Sequence, residues 1–159
     1  MAEVKVELTE RSIGKAVKEL QRYAEWVAVK EAELRSRLAK IGYQAATIRF
    51  GNAMYVGTND VTVRVDDKGT VAVIYAEGSA VAFIEFGAGA AYGYGHPQAD
   101  EFSVGPGTYP DGKGYWDDPR GWWYGGKHTY GNPPAMAMYY AVQAITESVT
   151  EIAREVFAT

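Results

Sequence analysis

Residues 13–48 read IGKAVKELQRYAEWVAVKEAELRSRLAKIGYQAATI, and their apolar spacing decides the fold. Ile13, Val17, Leu20, Ala24, Val27, Leu34, Leu38, Ile41, Ala45 and Ile48 follow one another at alternating steps of four and three. Glu31 fills the one seam position that breaks the pattern. Such spacing places every apolar side chain on one stripe of a helix, a heptad repeat. Lys15, Lys18, Arg22, Lys30, Glu33, Arg35 and Arg37 fall on the other faces. Thr9 or Ser12 is a suitable N-cap, because a hydroxyl oxygen accepts from a free N–H of the first turn. Gly42 lies off the seam and costs about 1 kcal/mol relative to Ala without ending the helix. The helix is expected over about residues 10–49. At 1.5 Å per residue it extends roughly 55 Å, long enough for part of it to project from so small a body.

Working outward, Val61, Val63 and Val65 alternate with Thr62 and Arg64, the period-2 pattern of a strand with one apolar face. Val71, Val73 and Tyr75 alternate in the same way beyond Asp66-Asp67-Lys68-Gly69, so a β-hairpin is expected over about 61–76. Ala72, Ile74 and Ala76 make its second strand apolar on both faces, hence the more buried of the two. From about 87 to 133 neither period holds; most of the glycines, all the prolines, both histidines and three of the tryptophans lie there or at its ends. A long irregular stretch rich in aromatics is expected to order against something else, since disordered segments are poor in them. Trp122-Trp123-Tyr124 suits a third short strand. Pro133 and Pro134 suit the first turn of a closing helix over about 134–157, with a second seam of Met138, Val142, Ile145, Val149, Ile152 and Val156. The expected fold is α+β in a single domain, residues 1–159: two helices packed on each other and on a small antiparallel sheet, with a long Gly/Pro/aromatic loop.

Composition narrows the function classes. Of 159 residues, 47% are apolar, enough for a core. The absence of cysteine removes disulfides, thiolate metal sites and cysteine nucleophiles, and fits assembly in a reducing cytoplasm. Net charge is −4, positive in the first 60 residues and negative after them, with no basic stripe for gripping phosphates. Sequence-specific nucleic-acid binding is therefore not expected. Neither a signal peptide nor an apolar run of membrane-spanning length is present in this sequence.

The chemistry-bearing motifs are few. His96 and His128 are far apart, and Asp100, Glu101, Asp111, Asp117 and Asp118 between them lack EF-hand spacing, so no metal or other cofactor is expected. Phosphate-loop and nucleophile-elbow patterns are missing. Glu85 is a lone acid among apolar neighbours, and if buried it needs a hydrogen-bonding or cationic partner. It reads first as a structural carboxylate, next as a subunit contact, and last as a catalytic acid paired with Asp117 or Asp118 in a glycosidase. Trp116, Trp122, Trp123 and Tyr124 read as a buried or interfacial aromatic cluster. The alternative is a carbohydrate-binding module that stacks sugars on those faces.

The order of two phrases carries a resemblance. Phe83-Ile84-Glu85-Phe86-Gly87-Ala88-Gly89, with His96-Pro97 soon after, is followed by Gly131-Asn132-Pro133-Pro134-Ala135-Met136-Ala137-Met138 opening the last helix. From about residue 10 to its end, the chain resembles the tail-completion, or head–tail joining, family of long-tailed bacteriophages. That family uses an aromatic-aliphatic-Glu-Phe-Gly-Thr-Gly phrase, and Ala88 stands where Thr is usual; Ala137-Met138 stands where Pro-Phe is usual. The resemblance implies a non-enzymatic virion protein of the neck, made in the host cytoplasm and forming a ring, often of six copies. Its partners would be itself, the head connector or stopper, and the tail tube or tail terminator, with DNA passing through the ring. Phe83, Glu85, Phe86, Gly87, Gly89 and the loop aromatics are then the assembly and interface candidates.

Overall fold

The computed structural model describes residues 9–89, 95–102, 118 and 120–158. Helix α1 spans Glu10–Gly51, strands β1 and β2 span Thr62–Lys68 and Val71–Glu77, and short helix α2 spans Val81–Phe86. A four-residue helix α3 (Ala99–Phe102), strands β3 (Trp122–Tyr124) and β4 (Lys127–Thr129), and helix α4 (Ala137–Ala158) complete the described elements. The α+β architecture is as expected: two helices pack on each other, and the β1–β2 hairpin packs on α1. Among the described residues the strands form two separate two-stranded antiparallel sheets rather than one.

Thr9 caps α1 as expected, its hydroxyl accepting from Ser12 N–H at 3.2 Å. At the other end, Asn52 N–H returns to Ile48 O, and the Asn59 side chain donates to Phe50 O at 2.8 Å. The most deeply buried positions of α1 are Ala39, Gly42, Ala46 and Phe50, one step around the helix from the expected seam. Leu34, Leu38, Ile41 and Ala45 are only half-buried, and Ile48 is exposed. The helix serves two neighbours at once, so its apolar arc is wider than one stripe. Gly42 sits where they converge: a Cβ there would meet Ile74 Cδ1 at 2.5 Å and Ile145 Cδ1 at 2.6 Å. At this off-seam residue α1, β2 and α4 come close together. Polar ties fix the same faces, Arg35 Nε to Asp67 Oδ1 at 2.7 Å and Arg37 to Glu155. Near the end of α4, Phe157 meets Trp26 edge-on at 5.8 Å. The turns of α1 before Trp26 run on past that contact.

In the first hairpin β1 extends through the two aspartates, and the turn falls at Gly69-Thr70, with Gly69 at φ 65°. The register pairs Val63 with Ala76 and Val65 with Ile74, so these residues share a face. Val63, Ile74 and Ala76 belong to the core with Ala46, Phe50, Ile84, Ala137 and Ala141. The alternation in β2 therefore resolves in favour of Ala72, Ile74 and Ala76 inward, and Val71 and Val73 lie exposed on the outer face. From the hairpin the chain passes through Gly78 into α2, whose start is held by Asp60. The Asp60 carboxylate accepts from Ser79 N–H at 2.8 Å, Ser79 Oγ at 2.7 Å and Ala80 N–H at 2.9 Å. These bonds hold its pKa down at about 2.

Helix α4 begins at Ala137, later than expected, and the two prolines precede it rather than fill its first turn. Met136 has φ 52°, which no helical turn accepts. The Ala135 and Met136 N–H groups go instead to Ile84 O and Glu85 O, at 2.8 and 3.1 Å. In the first half of α4 the buried positions are Ala137 and Ala141, whose small side chains let the helix approach the core, while Val142 of the expected seam is 63% exposed.

Two helical glycines should respond in opposite directions. Gly42→Val forces two isoleucines aside and should lower the urea midpoint by the equivalent of about 1–3 kcal/mol. Gly14 has open space around it, with nothing within 4 Å of where a Cβ would stand. Gly14→Ala should therefore slow amide exchange in the first turns of α1 through the roughly 1 kcal/mol propensity gain alone. The depressed Asp60 gives a pH signature. Its contribution to stability is complete above the ordinary 3.8 and is lost as pH falls through about 2. Acid titration of the melting temperature should show a shallower fall over that window for Asp60→Asn than for the parent.

Candidate functional site

The two phrases singled out in the sequence, 83–89 and 131–138, lie against each other. Ala88 and Asn132 exchange both backbone hydrogen bonds at 2.9 Å as an isolated antiparallel bridge. The Asn132 side chain donates to Phe83 O at 2.8 Å, closing the pair from the side. Such close backbone approach leaves no room for side chains. Gly87, at φ 78°, would place a Cβ 2.7 Å from Pro134 N, and Gly89, at φ 85°, would drive one into Tyr130 O. Both glycines are thus required by conformation and by space.

Glu85 is the centre of this joint. It is 4% exposed. Its carboxylate accepts from Met138 N–H at 2.9 and 3.1 Å and from Tyr139 N–H at 3.1 Å. These are unpaired donors of the first turn of α4, where helix geometry leaves N–H groups without partners and the dipole favours an anion. Glu85 therefore caps α4 from another element. The remaining partner is His96, whose Nε2 lies 3.2 Å from Glu85 Oε1. His96 Nδ1 accepts from Gln98 N–H at 3.0 Å, which leaves Nε2 as the donor to the carboxylate. The imidazole is buried between Phe86, with ring centroids 4.5 Å apart, and Tyr139 at 5.5 Å. Phe86 also touches Phe102 of α3. Sequence reasoning weighs His96 as a metal ligand and as part of the His96-Pro97 that follows the first phrase, but does not pair it with Glu85. Among the described residues no cluster of three or more His, Asp or Glu side chains is placed to hold a metal.

Phe83 faces elsewhere. With Tyr55, Ala88, Trp122, Thr129 and Asn132 it lines a small apolar cleft of about 60 Å³. The strand alternation of β3 sends Trp122 into that cleft and leaves Trp123 73% exposed. Trp123 meets His128 edge-on at 5.4 Å, and His128 meets Tyr130 edge-on at 5.0 Å. The expected aromatic cluster is thus divided between two surfaces. Tyr124 lies in β3; Trp116 and Asp117 fall outside the described residues. Asp118 is held by Arg120 through two hydrogen-bonded oxygens, and this partner keeps its pKa at about 2. Neither Glu85 nor Asp118 lines the apolar cleft.

No protein-family model, curated protein or solved structure matches the chain. Among the described residues, no helix is long and apolar enough to cross a membrane.

Glu85→Gln preserves shape but turns one acceptor oxygen into a donor facing N–H groups. Loss of charged hydrogen bonds of this kind should cost about 1.5–3 kcal/mol of folding stability, read from urea unfolding. Amide exchange should rise first at Met138 and Tyr139.

Proposed function

We propose that this chain is a non-enzymatic structural protein of a phage neck, a ring subunit that completes the tail and joins it to the head connector. The observation that carries this reading is the joint between the two phrases that resemble the tail-completion family. They are 42 or more residues apart along the chain, yet they form one buried unit around Glu85. Residues with a shared task of holding a loop base against a helix have reason to recur together in order and spacing. The carboxylate spends its acceptor capacity on α4 and His96, as a structural anchor does and a general acid does not. The partners on this reading are further copies of the chain, the connector or stopper on the head side, and the tail tube or tail terminator below, in the virion at the head–tail junction. DNA passes through the ring without sequence-specific contacts.

One observation favours the alternative of a carbohydrate-binding module. Trp123, His128 and Tyr130 form an exposed aromatic edge of the kind that stacks on sugars. Trp122, which that reading also needs, is turned into the cleft.

Light scattering with negative-stain imaging of the purified chain, alone and mixed with connector and tail proteins, separates the two. The neck reading expects a ring of about six copies, alone or on a partner, and no substrate turnover. A monomer that binds neither connector nor tail components overturns it. Glycan-array binding that disappears in Trp123→Ala, with the fold intact by circular dichroism, would establish the alternative.

A further inference from the structure

We infer that the cleft beside the Ala88–Asn132 bridge is a binding site for a small neutral alcohol, a hydroxyl group on a short apolar body. The inference goes beyond the ring reading and does not depend on it. The cleft measures about 60 Å³, and among the described residues no charged side chain lines it. Its walls are mainly the apolar and aromatic side chains of Tyr55, Phe83, Ala88 and Trp122. Two polar residues also line it, and both are buried: Asn132 is 4% exposed and Thr129 6%.

Each of these two has hydrogen-bonding capacity left over. Asn132 Nδ2 donates to Phe83 O at 2.8 Å and to Pro133 O at 3.3 Å. Both neighbours are acceptors, so the nitrogen is the end that faces them and Oδ1 is the other end. Among the described residues no donor reaches Asn132 Oδ1. Thr129 Oγ1 accepts from Gly131 N–H at 3.0 Å, which leaves its own proton without an acceptor among those residues. The main chain beside them is spent, since Ala88 and Asn132 bond to each other across the bridge. A buried polar atom without a partner costs stability. A buried acceptor and a buried donor, both open at one apolar cleft, therefore favour a ligand group that fills both.

The chemistry of that group follows from its two partners. It must accept from a hydroxyl and donate to a carbonyl oxygen. An ammonium cannot accept, a carboxylate cannot donate, and neither finds an opposite charge among the described lining residues. Water meets both demands but leaves the apolar walls wet. A hydroxyl carried on carbon meets both and covers the walls. The space is less than half of the roughly 150 Å³ that holds benzene, so about two or three carbon atoms enter.

Backbone amide NMR of the full-length protein, titrated with isopropanol and with its hydrocarbon counterpart isobutane, tests the site. The inference expects saturable shifts with isopropanol at Ala88, Thr129, Gly131 and Asn132. It expects isobutane to bind about tenfold more weakly, the effect of hydrogen bonds left unmade. Thr129→Val keeps the shape and removes the hydroxyl. It should weaken isopropanol about tenfold and leave isobutane unchanged. Val56 lines the cleft and is 43% exposed, so Val56→Phe narrows the mouth from the surface and should abolish binding of both. Circular dichroism checks each fold, and Val56→Phe decides the matter if Thr129→Val unfolds. Shifts that grow linearly and spread over the surface overturn the inference. So does an absence of shifts at the cleft, which leaves water as its occupant. Isobutane binding as tightly as isopropanol overturns the hydroxyl and leaves a purely apolar socket. Solution mass at saturating isopropanol identifies the natural source once the site is shown. A mass that falls assigns the hydroxyl to a serine or threonine of a neighbouring copy, and a mass that holds assigns it to a free small molecule.

Discussion

A helix needs its first N–H groups satisfied, and in α4 that task falls to a carboxylate borrowed from elsewhere in the chain. Glu85 sits on α2, more than fifty residues before the N–H groups it accepts from. Because these hydrogen bonds are buried and directional, they fix the start of α4, the direction in which α2 ends, and the place where His96 meets the body. The two prolines and the left-handed Met136 make sense in this light. They keep residues 133–136 out of the helix, the Ala135 and Met136 N–H groups bond to the end of α2, and only then does the helix begin. Burying a carboxylate is costly unless its acceptor sites are filled, and here backbone donors and one imidazole fill them. The packing of α4 on α1 starts from that fixed point.

Much of this is legible in the local pattern. The 3.5-residue spacing announces α1 and α4, and the alternation of valines announces the hairpin, because both periods follow from backbone geometry alone. The need of Glu85 for a partner follows from its apolar neighbours. What pattern does not convey is orientation among competing apolar faces. In β2 both faces are apolar, and only the bulk of α1 decides that Ala72 and Ile74 go inward. In α1 the arc that packs is broader than a heptad stripe, so Gly42, which propensity marks as a weak point, is the residue that lets Ile74 and Ile145 approach. Helix α2 leaves no trace in the pattern because six residues are too few to show a period. The partners of Glu85 lie eleven residues on, at His96, and more than fifty residues on, at the start of α4, and no local signal encodes either contact.

The long helix works in two regimes. From Trp26 onward it is an ordinary core element, fixed by α4 on one side and the hairpin on the other. Before Trp26 the same repeat continues with exposed apolar side chains. A single continuous helix makes the projecting part stiff, since bending it would break backbone hydrogen bonds in mid-helix. The direction of this projecting part is therefore set by the packing of α1 from Trp26 onward.

The Ala88–Asn132 bridge has a consequence for how such a chain can change over time. The bridge joins the two ends of the segment between residues 89 and 131, and glycines and the Asn132 side chain fix those ends. Closing a longer excursion between fixed ends costs little, about 0.6 kcal/mol for each doubling of its length. Among its described residues His96, Phe102, Trp122 and Thr129 pack on the body. The length of chain between Ala88 and Asn132 is therefore a weak lever on the joint that closes it.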